Sequence, residues 1–122
     1  GIYAASLLVE MMAVSGKKLS EIAEDIRKEY GEIHMEERAY RFTAEEKERI
    51  HKTLMMDQAL PEIPFGIDHV SYMDGCKVYL KNGGWVSARF SGTEPLLRIF
   101  CEMQTEHEAV LLCELFETFL GL

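Results

Sequence analysis

Apolar residues dominate the first stretch of the chain. Residues 2–14 read Ile-Tyr-Ala-Ala-Ser-Leu-Leu-Val-Glu-Met-Met-Ala-Val, with Glu10 the only charge. A helix with so little polar surface needs partners on several sides. Ser15-Gly16 supplies its stop, glycine being suited to the left-handed C-cap. Polar and apolar positions then separate. Ile22, Ile26 and Tyr30 recur at four-residue spacing and predict a second helix, from an N-cap at Ser20 to Gly31. Residues 32–42 alternate only in part and predict an extended connector or a short strand. Thr43 and Glu46 have the spacing of a capping box at the head of a third helix. Lys47, Ile50 and Leu54 lie along one side of that helix, and Met55-Met56 closes it. Pro61, Pro64 and Gly66 mark residues 57–66 as a loop.

The last third predicts strands. Residues 67–73 form one, Asp74-Gly75 is a two-residue hairpin turn, and residues 76–81 are its partner. Asn82-Gly83-Gly84 turns the chain into a third strand at 85–90, and a polar loop at 91–95 leads to a fourth at 96–103. Thr105 and Glu108 repeat the capping-box spacing, and Ala109, Leu112, Cys113, Phe116 and Leu120 give the final helix one apolar face. The fold class expected is therefore α+β: a four-stranded antiparallel sheet flanked by helices, preceded by a helical pair.

Composition narrows the function classes. A chain of 122 residues supports one real core and not two. Its net charge of -8 argues against nucleic acid or an anionic membrane as partner, both of which select a basic face. Cys76, Cys101 and Cys113 are odd in number and lack paired spacing, so they are expected as buried thiols in a reducing, cytoplasmic setting. The apolar run at 2–14 is far short of the ~20 residues that cross a bilayer. The chain opens on Gly1 directly into a helical pattern, as expected of a piece of a larger protein.

The candidate chemistry lies in Ser87-Ala88-Arg89-Phe90-Ser91-Gly92-Thr93-Glu94-Pro95-Leu96-Leu97-Arg98. Ser91 and Thr93 bring hydroxyls, Gly92 tolerates a positive φ, and successive backbone N–H groups in such a turn can form an anion nest. Arg89 and Arg98 flank the loop with planar donor forks that match a phosphate. Together they predict a phosphate cradle. The alternative is ordinary turn chemistry, for which Ser-Gly and Glu-Pro suffice. Other candidates are weaker. His34, His51, His69 and His107 are scattered without ligand spacing, so no metal site is expected. Glu36-Glu37 would point to opposite faces of a strand, the glutamates of 45–48 form a solvated face, and Met11-Met12 and Met55-Met56 fill core. Ser-Gly-Lys-Lys at 15–18 lacks Walker spacing. Trp85 is expected to pack.

The sequence Arg89-Phe90-Ser91-Gly92-Thr93-Glu94-Pro95, followed by Leu96-Leu97-Arg98, resembles the phosphate-binding loop of the α-D-phosphohexomutases. It is most similar to the bacterial phosphoglucomutase/phosphomannomutase type. Phosphoglucosamine mutases more often carry proline where this chain has Phe90, a difference that leans towards the glucose/mannose type. The resemblance implies that residues 1–31 are the helical tail of a third mutase domain, 32–42 a connector, and 43–122 the C-terminal phosphate-binding domain, of TATA-box-binding-protein-like class. It places Arg89, Ser91, Gly92, Thr93 and Arg98 on the phosphate, with Glu94 a possible orienting residue and no catalytic or metal residue in this chain. The implied parent interconverts hexose 1-phosphate and hexose 6-phosphate through a phosphoserine, with Mg2+ and a hexose 1,6-bisphosphate intermediate. The implied partners are a hexose phosphate and the missing mutase domains. The chain alone is expected to be inactive and to self-associate through residues 2–14. Glucose and mannose remain open, as does a stand-alone anion-binding or interaction module.

Overall fold

The computed structural model describes residues 1–122, which divide into two compact units, Gly1–Glu32 and Ile33–Leu122. The first is a helical pair, α1 (Ile2–Ser15) and α2 (Leu19–Tyr30). Gly16 ends α1 in the left-handed conformation, φ 68°, with its N–H donating to the Met12 carbonyl at 2.9 Å. No side chain of α1 is buried, and only Ile22 is buried in α2. Ser20 is not the N-cap of α2. The N-cap is Lys18, two residues earlier, and the Glu21 carboxylate accepts the Lys18 N–H at 2.7 Å, the reciprocal half of a capping box. Lys17 and Asp25 pair across this first turn.

The second unit is a five-stranded antiparallel sheet with helices on one face. Its strands are β1 (His34–Arg41), β2 (Ile67–Ser71), β3 (Cys76–Leu80), β4 (Trp85–Phe90) and β5 (Leu96–Met103), in the order β1-β5-β4-β3-β2. The expectation of four strands is corrected to five. The stretch at 32–42, read as a connector or short strand, contains a full edge strand that pairs from His34↔Met103 to Arg41↔Leu96. Its pattern misled because the half-buried face is His34, Glu36, Arg38 and Tyr40, where an inward strand face usually carries aliphatic residues. Arg38 makes that face possible. Its guanidinium donates to Glu117 at 2.7 Å on the final helix and to Glu36 at 3.2 Å. Burial works against the Arg38 charge, but its hydrogen bonds to Glu36, Tyr40 and Glu117 outweigh it and raise the pKa.

Helix α3 (Ala44–His51) starts at the reciprocal box the sequence predicts. Thr43 Oγ1 accepts the Glu46 N–H at 3.3 Å, and Glu46 Oε2 accepts the Thr43 N–H at 2.6 Å. It runs into a π-helical turn, Lys52–Met56, that delivers Leu54 to the core. Helix α4 (Glu106–Leu120) buries Ala109, Leu112, Cys113, Phe116 and Leu120, the face read from the sequence. Its cap is less symmetric than expected: Thr105 accepts the Glu108 N–H at 3.2 Å and donates its hydroxyl to the Glu108 carboxylate at 3.0 Å. Arg49 donates to the Leu120 carbonyl at 2.7 Å, tying α3 to the end of α4.

Alternation along the strands supplies the rest of the core. Cys76, Val78 and Leu80, then Val86 and Ala88, then Leu97, Ile99, Cys101 and Met103 all face the helices. All three cysteines are free and buried. Burial pushes the Cys76 thiol up to about 11. Cys113 meets Cys101 at 3.4 Å, and that hydrogen bond together with burial raises its pKa and keeps it protonated. The opposite face of the sheet is open, and on it lie Lys77, Tyr79, Trp85, Ser87, Arg89, Arg98 and Phe100. No helix is long and apolar enough to cross a membrane.

Candidate phosphate site

β4 and β5 carry the site. Their register ends with Arg89↔Arg98 and Phe90↔Leu97, and the chain reverses through residues 91–95. Ser91 N–H closes the reversal on the Leu96 carbonyl at 2.8 Å, and Leu96 N–H returns to the Glu94 carbonyl at 2.8 Å. The N–H groups of Gly92, Thr93 and Glu94 have no backbone acceptor, and the Ser91 and Thr93 hydroxyls make no hydrogen bond within the chain. Three successive amides and two hydroxyls are thus free to serve a ligand, which suits an anion with several acceptor oxygens. Gly92 does not use the positive φ that glycine allows. A Cβ there would meet nothing within 4 Å, so the loop is open at its tip.

The register also explains the charge. Arg89 and Arg98 are direct cross-strand neighbours on the open face, a like-charge pair that lacks a reason unless something negative sits between or beside the two. Arg89, Phe90, Ser91, Gly92, Thr93 and Arg98 together line a cavity of about 370 Å³. The structure therefore gathers the five residues read as phosphate ligands into one concave patch. A larger cavity of about 940 Å³ lies between the 61–66 loop and α4, lined by Ile63, Leu111, Leu115 and Phe119 among others. It has no cationic lining.

Glu94 pairs with neither arginine; two other carboxylates face them. Asp74 Oδ2 lies 3.1 Å from Arg89 Nη1, and Glu37 Oε1 lies 3.8 Å from Arg98 Nη1. Both were invisible to sequence reasoning. Asp74 reads as a turn residue, and Glu37 reaches Arg98 only through the β1–β5 register, which no local pattern encodes. Arg41, at the end of β1 on the same face, has no carboxylate partner, and the next residue donates its N–H to the Pro95 carbonyl at 3.3 Å. β1 is thereby fastened to the loop. Trp85 packs parallel to Phe100 with centroids 5.8 Å apart, and Lys77 Nζ sits 3.9 Å from its ring centre. The histidines stay apart: His69 stacks on Tyr79, and His51 lies near Phe90.

A protein-family model described as phosphoglucomutase/phosphomannomutase, C-terminal domain, matches residues 13–117. The chain belongs to this family. A phosphoglucomutase/phosphomannomutase of Thermococcus kodakarensis is 33% identical over 112 residues, covering 89% of this chain. The match spans 22% of that relative's length. The chain thus corresponds to the C-terminal part of a phosphohexomutase, and the family match takes in the whole of β1–β5 and the 91–95 loop.

Proposed function

We propose that this chain is the domain that holds the non-reacting phosphate of a hexose phosphate in an enzyme interconverting the 1- and 6-phosphates of glucose, mannose or both. The observation that carries the reading is the Arg89–Arg98 cross-strand pair at the mouth of a loop with unused amides and hydroxyls. The phosphate would take the two guanidinium forks, the Ser91 and Thr93 hydroxyls, and the amides around Gly92. Each charge-assisted contact is worth about 1.5–3 kcal/mol, and holding the substrate in line is itself catalytic. A cradle built of phosphate donors accepts either end of a hexose bisphosphate, because it reads the phosphate and leaves the sugar to other parts of the enzyme.

In that reading the phosphoserine, the Mg2+ and the sugar-reading groups belong to the rest of the parent. Within this chain no three His, Cys, Asp or Glu side chains come together to hold a metal ion. Its own part in that reading is to bind and orient the phosphate. The chain alone is expected to be inactive.

The test is an amide chemical-shift titration of the chain at low salt with glucose 1-phosphate, inorganic phosphate and glucose. Shifts at Ser91 to Glu94 with both phosphates and none with glucose are expected. Shifts with glucose alone, or none at millimolar phosphate, would contradict a cradle preformed in this domain.

A further inference from the structure

The cradle contains its own anions. Arg89 and Arg98 oppose each other directly, and each guanidinium is met by one carboxylate, Asp74 at 3.1 Å and Glu37 at 3.8 Å. The charges of these two arginines and two carboxylates sum to zero.

Neither carboxylate arrives by accident of a floppy surface. Asp74 sits in the connection between β2 and β3, and Gly75 presses that connection onto the base of Arg89. A Cβ on Gly75, at φ +77°, would stand 2.6 Å from the Ala88 carbonyl oxygen and 3.1 Å from Arg89 Cα. Only glycine permits this approach, and it brings the Asp74 side chain alongside the Arg89 fork. Glu37 comes from the other side. It is the cross-strand partner of Phe100, on the face that carries Arg98, one diagonal step along the β1–β5 ladder.

The pairs are also weak enough to yield. The arginine side chains are 59% and 51% exposed, and their carboxylates 71% and 49%. Ion pairs so exposed are readily exchanged. A phosphate dianion offers more charge and several acceptor oxygens to the same forks. We propose that Asp74 and Glu37 are resident counter-ions of the cradle, displaced when phosphate binds, and that they hold its affinity down so that phosphate is released readily. This rests on the reading of the loop as a phosphate site. After displacement the two carboxylates remain beside the bound anion, and their repulsion adds to the competition. An enzyme that must let go of a bisphosphorylated sugar and grip it again by its other end gains from such a weakened hold.

The experiment is a titration of the 122-residue chain with inorganic phosphate at fixed ionic strength, read at the amides of Ser91 to Glu94. Asp74→Asn and Glu37→Gln are each expected to tighten binding by about two- to fivefold, the range that exposed ion pairs span. Glu24→Gln, which makes the same change in net charge within the helical pair, is expected to leave the Kd unchanged. Binding by Asp74→Asn and Glu37→Gln that equals or falls below that of the unmodified chain would overturn the proposal. Equal tightening by Glu24→Gln would also overturn it, since the effect would then belong to total charge. Should the unmodified chain stay silent while the two variants respond, the counter-ions block the site and the proposal stands. Silence from every chain would remove the phosphate reading itself, and the counter-ion role with it.

Discussion

At Arg89 the two demands on the site meet. The residue must face Arg98 across the ladder and still present its fork to the loop, and the open face of the sheet lets it do both. In the full-length parent, Arg89→Ala is expected to lower kcat/KM by about tenfold to a hundredfold, the loss of one charge-assisted contact. KM should rise and kcat fall together, because positioning suffers along with binding. Steady-state kinetics with the hexose 1-phosphate decide it, and unchanged constants would take Arg89 out of the site. The five residues read as phosphate ligands were legible as a group because they are contiguous or nearly so, and their chemistry is carried by residue type. Asp74 and Glu37 were not, because each acquires its meaning from a partner far away in the chain. Glu94, the carboxylate nearest in sequence, was the natural candidate for their place, yet it pairs with neither arginine and its side chain is left in solvent.

Among the elements, β1 shows where hydrophobic patterning fails. Periodicity finds strands by their apolar inward residues, and β1 turns Glu36 and Arg38 inward. It is held by pairing with β5 and by the Arg38–Glu117 contact, neither of which leaves a local trace. Arg38→Ala is expected to destabilise the β-sheet unit by about 1–3 kcal/mol, since Glu36 and Glu117 would keep their charges half-buried without a partner. Urea denaturation measures this, and an unchanged midpoint would mean that the clamp contributes nothing. The α3 cap was legible in full, and it carries a pH signature. The Thr43 N–H, with help from the Thr43 hydroxyl, holds the Glu46 carboxyl below its ordinary value of 4.5. A carboxyl lowered on folding stabilises the fold above that ordinary value and loses its contribution as pH falls through the lowered one. Stability should therefore decline on the acid side of 4.5, and Glu46→Gln should flatten that decline. Parallel slopes for the two proteins would rule the cap out as the source.

For the molecule as a whole, the two units differ in how well they are covered. The sheet unit buries a contiguous apolar core beneath its helices, with Phe116, Ile50 and Leu54 enclosed. Helix α1 encloses nothing: Ile2 is 88% exposed, Val14 82%, and Leu7, Leu8 and Val9 are all in solvent. A helix of this length holds poorly in water by itself, and so much apolar surface favours contact with another copy. Sedimentation over a range of concentrations is expected to show self-association through α1. A monomer mass independent of concentration would count against it. The sequence disclosed this surface at once, because an apolar run broken only by Ser6 and Glu10 needs no register to interpret.

The strand order has one further consequence. β1 lies beside β5, so the earliest made of these five strands must wait for the last before it has a neighbour, while β2, β3 and β4 are made in between. The hairpins of the meander can close as soon as each is complete, but β1 has no such local option. During synthesis it is a bare edge, the situation in which strands pair with the wrong chain. Its charges on both faces, Glu36 and Arg38 inward and Glu37 and Arg41 outward, make it a poor template for a stranger. The same residues that conceal β1 from pattern reading thus disfavour wrong pairing until β5 arrives.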